Sequence, residues 1–274
     1  MKGLFLISIA FLFIFSCAQE RTEPEDYKYD LAVLPKDIQQ KVKNIQYLDS
    51  TVFARAGSSI NAISKESFYK IKSSEQNILA EKFCKNSKGY QKGSWEGQND
   101  CSWAIEMTRL EKYAEWVTRA DDLLVINLKN GKTIEFVHDT SNPDQILYFQ
   151  FKNYLQEIGF FVVEAIQKGK CRVSHLINAN DGTTYPIHGV AYFSKDQVDF
   201  LSATFNKELP LKCSNKFGLY KISNDQIEKM WHIPTGYWGI TEVRFINQTE
   251  FLLEQSTSGI PSEYKRYARV AAIQ

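Results

Sequence analysis

Leu124-Val125-Ile126-Asn127-Leu128-Lys129-Asn130-Gly131-Lys132-Thr133-Ile134-Glu135-Phe136-Val137 is the stretch that decides the fold class. Leu124, Ile126 and Leu128 alternate with their neighbours, as do Ile134 and Phe136, so each run lays its apolar side chains on one face of a strand. Asn130-Gly131 lies between the runs and predicts a hairpin through a type I′ turn, whose central residues need positive φ. The same alternation continues from Asp121 onward. Further strands are expected at 146–151, 160–166, 172–178, 184–187, 190–193, 200–205, 218–222, 229–233, 242–246, 251–254 and 264–271. Their connections are short, which predicts antiparallel pairing of neighbours in a meander.

Within this run a weak repeat stands out. Tyr148 to Ile187 and Tyr192 to Ile233 each read as four strands, with hairpins across Asn180-Asp181-Gly182 and Asn224-Asp225. Cys171 and Cys213 fall at matching places, before the third strand of each unit, and an imperfect third copy starts near Phe245. Four strands in about 44 residues is the period of a propeller blade, which cannot cover its own apolar faces without neighbours. The chain has no room for a complete propeller. The expected fold is mainly β with N-terminal helices, an antiparallel meander forming an incomplete β-propeller-like array over 121–274.

Residues 34–120 are expected to be helical and to cover the open side of that array. Pro35 suits a first helical turn before Ile38 and Val42, and a second helix is expected from Ser64 to Phe83 around Phe68, Ile71, Ile78 and Leu79. Asp100 is an N-cap candidate for a third, whose stripe is Trp103, Met107, Leu110, Ala114 and Val117. Residues 86–100, rich in Gly, Ser and Lys, read as a loop.

At the N-terminus, Leu4 to Phe15 form an apolar run of 12 residues after Lys2. As a helix this spans roughly 18 Å, short of roughly 30 Å of bilayer hydrocarbon, so residues 1–16 read as a signal peptide. Ile14-Phe15-Ser16-Cys17 resembles the lipobox of bacterial lipoproteins. The resemblance implies cleavage before Cys17, acylation of that residue and stable anchoring of a water-facing domain. Ala18, in place of Asp, implies sorting to the outer membrane, with the domain facing the periplasm. Residues 17–33, charged around Pro24, are expected to serve as the lipidated tether.

Removing residues 1–16 takes away Lys2 and no acid, so the 33 basic side chains fall to 32 against 32 acidic. A neutral chain has no net pull toward phosphates, which removes the simplest support for nucleic acid as a partner. Four cysteines remain beside Cys17, and in an oxidising compartment an even count favours disulfides. Three connectivities are open, and pairing within each half of the chain gives Cys84 with Cys101 and Cys171 with Cys213. Zinc ligands are spaced more closely than these, so neither a metal nor another cofactor is expected.

Phe193-Ser194-Lys195-Asp196-Gln197-Val198-Asp199-Phe200-Leu201-Ser202-Ala203 resembles the Ser-Pro-Asp-Gly blade motif of propeller repeats related to the WD type. Lys195 stands where proline is usual and Gln197 where glycine is usual. More widely, the cysteine helix, the Asn-Gly hairpin, the Gly159 to Val163 strand and Tyr237-Trp238-Gly239 are similar to a group of uncharacterised secreted proteins and lipoproteins of proteobacteria. That resemblance spans roughly residues 100–255 and implies fold and location, with no activity attached.

Catalytic spacing is hard to find. Nucleophile elbow, phosphate loop, paired zinc histidines and dinucleotide fingerprint are all missing, and His138, His175, His188 and His232 are scattered. His138-Asp139 reads as a solvated turn pair, and Ser174 and His175, adjacent on a strand, point to opposite faces. Trp231, His232, Tyr237 and Trp238 gather around Pro234 and Gly236, a set that either binds a partner or plugs the space between sheets, and Trp95 is a second contact candidate. The expected function is a non-catalytic envelope lipoprotein, a binding or assembly module for another periplasmic protein or a polymer. One version is an immunity or inhibitor protein against a periplasm-acting toxin or lytic enzyme. A cell-wall or lipid hydrolase is the alternative.

Overall fold

The computed structural model describes residues 58–72, 95–143, 145–167, 172–204, 215–236, 238–257 and 265–272. The signal segment, Cys17 and its tether, the helix expected after Pro35, residues 73–83, Cys84, Cys171, Cys213 and Tyr237 lie outside them. Among the described residues, fifteen strands make four antiparallel sheets, and none closes into a barrel. The first sheet is β2 (Val117–Ala120), β3 (Leu123–Asn127) and β4 (Thr133–Val137). The second is β5 (Leu147–Leu155), β6 (Phe160–Gln167), β7 (Val173–Asn178) and β8 (Thr184–His188). The third is β9 (Val190–Phe193), β10 (Asp199–Ala203), β11 (Asn215–Ser223) and β12 (Gln226–Gly236). The fourth joins β13 (Trp238–Phe245), β14 (Glu250–Thr257) and β15 (Arg266–Ala272) to β1 (Ser58–Ala62), which pairs with β15.

In the first three sheets, and from β13 to β15 in the fourth, neighbouring strands follow chain order as in a meander, with β1 added beside β15, and every strand expected after Asp121 is found. The sheets stack face to face because their central strands are apolar on both faces. On β6, Phe161 and Val163 join the core shared with the first sheet, while Phe160 and Val162 join the core shared with the third. On β10, Phe200 faces the second sheet, and Leu201 and Ala203 face the fourth. A strand buried on both sides reads as a continuous apolar run, which is what Phe160-Phe161-Val162-Val163 is. Each fully buried Phe in these seams contributes about 1.5–3 kcal/mol of hydrophobic stabilisation.

The outer face of the fourth sheet is covered by α1 (Lys65–Lys70), capped by the Ser64 hydroxyl, which accepts from Ser67 N. Phe68 of α1 packs on Leu252 and Tyr267. Arg244 holds it there, donating to Ile71 O at 2.6 Å with its guanidinium 4.5 Å from the Phe68 ring centroid. Residues 34–120 are thus not wholly helical, since β1 and β2 fall inside that span. α1 stops at Lys70, and the next described helix, α2, runs Trp95–Lys112, so Asp100 is interior and no N-cap. One glycine costs a helix only about 1 kcal/mol, and Gly97 does not prevent α2 from starting inside the expected loop.

The stripe on α2 is also displaced. Ile105, Glu106 and Leu110 are buried, Met107 is 51% exposed, and Ala114 and Val117 lie beyond the helix. Glu106 takes the inward position because its carboxylate has partners there: Oε1 accepts from Arg119 Nη2 at 2.8 Å and from Phe151 N at 2.6 Å. A buried acid broke the apolar pattern.

Turns differ in type more than in place. Gly131 is left-handed at φ 81 and Asn130 is not, so the first hairpin has a type I turn ending in a glycine bulge, not the expected type I′. Lys129 N donates to Ala179 O at 2.8 Å, tying that longer loop to the second sheet. Asn224 and Asp225, at φ 50 and 60, form the type I′ turn of the β11–β12 hairpin. Among the described residues no helix is long and apolar enough to cross a membrane.

Candidate functional site

An irregularity in β5 builds the site. Phe151 pairs with Val163 and Asn153 with Val162, so Lys152 is an extra residue with no cross-strand partner. The consequence shows in the core, where Phe151 and Tyr154, three apart, both pack toward the first sheet. Such bulges re-aim a side chain, and here the Lys152 ammonium lies 3.2 Å from the Glu164 carboxylate. Glu164 follows Phe160 and Val162 on the face of β6 that meets the third sheet, and is 2% exposed. There the apolar seam gives way to a cavity of about 510 Å³.

Its lining is cationic. Lys72 follows α1, Arg109 and Lys112 come from the last turn of α2, Lys152 from β5 and Lys195 from the turn after β9, against one acid among the described lining residues, Glu164. Arg172 adds a further cation 3.4 Å from Glu164. Burial alone would raise the Glu164 pKa, but Lys152 and Arg172 outweigh it and hold the carboxylate below its ordinary range. Burial lowers Lys152, with Arg172 and Arg109 adding to the effect and Glu164 opposing it. Lys152 is itself held twice, by Glu164 and by Gln150 Oε1, to which its ammonium donates at 3.1 Å, so burial and the neighbouring cations, not a lack of partners, lower its pKa.

Polar groups complete the walls. The Tyr113 hydroxyl donates to Asn153 Oδ1 at 3.1 Å. Ser174 Oγ donates to Gly189 O at 2.7 Å and accepts from Ala191 N, stitching the second sheet to the third. Ser194 Oγ donates to Asp199 O within the turn that carries Lys195, and Gln197 there takes φ 64, a glycine-like conformation. Gln197 Oε1 is buried without a hydrogen-bond partner among the described residues. Both serine hydroxyls are engaged by backbone, and neither has a histidine beside it in these bonds. This arrangement suits the capture of negative charge.

The aromatic set is placed elsewhere. Trp231 on β12 is half-buried against the core of the third and fourth sheets, its ring 5.2 Å from that of Phe217. His232 is exposed and pairs across the strands with Gly218. Burial lowers its pKa, with Lys216 and Lys229 adding to the effect. Of Trp238, as of Cys101 and Trp95, only the backbone is described. Neither Trp231 nor His232 lines the cavity.

His138 is no solvated turn residue: it is 7% exposed, with Nδ1 accepting from Phe149 N and Nε2 3.1 Å from Arg119 Nη1. Ser174 and His175 do face opposite ways, His175 lying beside Phe136 and Phe149 of the other seam. Among the described residues no three His, Cys, Asp or Glu side chains cluster as a metal site.

Sequence reasoning passed over Lys152 and Glu164. The signal was a lone acid inside Phe160-Phe161-Val162-Val163-Glu164-Ala165-Ile166, since a charge in a doubly buried strand needs a partner. Comparison with protein-family models, with curated proteins and with solved structures finds no match to this chain.

Proposed function

We propose that this chain is a non-catalytic binding module of the bacterial envelope, held at the outer membrane by a lipid on Cys17, with the cationic cavity as its binding site. The observation that carries this reading is the ring of five basic side chains around one carboxylate, at a place where three sheets and α2 converge. Its occupant is an anionic segment of another envelope protein or of a polymer. In the same reading the four stacked sheets are blades of an incomplete propeller-like array. The fourth sheet supports it, with a strand from before α1 joining three from the C-terminal end, as does Gln197 in the glycine place of the blade motif. Disulfides Cys84 to Cys101 and Cys171 to Cys213 belong to this account, as does a second contact at Trp231, His232, Tyr237 and Trp238.

A photo-crosslinking amino acid placed at Lys195 in growing cells tests it. A discrete adduct is expected at Lys195 and none at Val137, exposed on β4 outside the cavity. Equal labelling at both positions, or none at either, counts against a binding module. Cys17→Ser should release the protein from the membrane fraction.

A further inference from the structure

Resting on the cavity as the binding site, we propose that its ligand is a polyhydroxylated anion, an acidic or phosphorylated sugar. Lys152, Lys195 and Lys72 receive its charge and Gln197 a hydroxyl. Lys72 and Lys195 line the cavity beside the Lys152–Glu164 pair, and a group with several anionic oxygens engages these ammonium groups best, through charge-assisted hydrogen bonds. Charge is not the whole match. The buried Gln197 Oε1 is an acceptor, which an ionised oxygen cannot satisfy, so the ligand brings a donor as well, and beside an anionic group a hydroxyl supplies it without cancelling the charge. Burial holds the Tyr192 phenol well above its ordinary pKa, keeping it a neutral donor in the wall. Phe193 and Phe245 present rings against which the C–H face of a sugar packs. The volume, about 510 Å³, lies within the range of about 300–1,000 Å³ of small-molecule sites.

Titration calorimetry on the full-length protein in nonionic detergent tests this with glucose 6-phosphate, glucuronate, glucose and inorganic phosphate. The two sugar acids should bind, and glucose and phosphate should each bind about tenfold more weakly or worse. Lys152→Gln should weaken glucose 6-phosphate binding by about tenfold, and so should Lys195→Gln, an exposed turn position whose variant keeps the wild-type urea midpoint. Glucose binding as tightly as glucose 6-phosphate removes the role of charge. Phosphate binding as tightly removes the role of the hydroxyls, and either result overturns the proposal. If neither sugar acid binds while the Lys195 adduct persists, the ligand class is wrong and the binding module stands; loss of both refutes both.

Discussion

Gly189 sits where the chain passes from the second sheet to the third, and alanine there tests how tightly the two are joined. Its φ is +99°, and an added Cβ would lie 2.3 Å from Ala203 O and 2.9 Å from Thr204 Cγ2. The backbone cannot easily retreat, because Gly189 N donates to Arg172 O at 2.8 Å and Gly189 O accepts from Ser174 Oγ at 2.7 Å. Gly131 is the control: its φ is +81°, and its Cβ would meet nothing within 4 Å. Left-handed backbone costs alanine about 1–2 kcal/mol at either place. Overlap with packed backbone adds about 1–3 kcal/mol at Gly189 alone. Gly189→Ala should therefore lose about 2–5 kcal/mol in urea unfolding, and Gly131→Ala about 1–2 kcal/mol. If the two variants lose the same amount, the seam is loose, and the cavity walls it supports are not fixed as described.

Arg119→Met strands the buried Glu106 carboxylate and should cost about 3–5 kcal/mol at pH 7.5, less at pH 5, where the acid can take a proton; urea midpoints at the two pH values check it. Burial depresses the His138 pKa, and the adjacent Arg119 charge adds to this, so the unfolded chain takes up that proton more readily than the folded one. Stability contributed by His138 is therefore present above its ordinary value near 6.5 and lost as pH falls through the depressed one, a slope that His138→Asn should flatten in the same titration. Arg244→Ala should loosen α1 from the fourth sheet, seen as faster amide exchange over Lys65–Lys70 with β6 unchanged.

Much of the strand order was legible because each strand carries its apolar residues at a period of two, and burial on both faces left continuous runs such as 160–163. What misled was polar chemistry placed inside. Glu106 took an inward position that Met107 had seemed to own, because Arg119 and the backbone N–H of Phe151, from strands beyond the helix, meet its carboxylate there. β1 escaped notice since its pairing with β15 is long-range and its own five residues carry little pattern. Lys152 looked like an ordinary strand charge, and only the bulge, a property of two strands together, turns it to Glu164. Cavities of this kind are set by pairing register, which composition does not encode.

Hydrogen exchange measured with and without saturating glucose 6-phosphate tests the cavity as the working site most directly. The account predicts slowed exchange in Lys152–Leu155 and Ser194–Val198, with Thr133–Val137 unchanged. Protection confined to β4, or to the strand around Trp231 and His232, would contradict it.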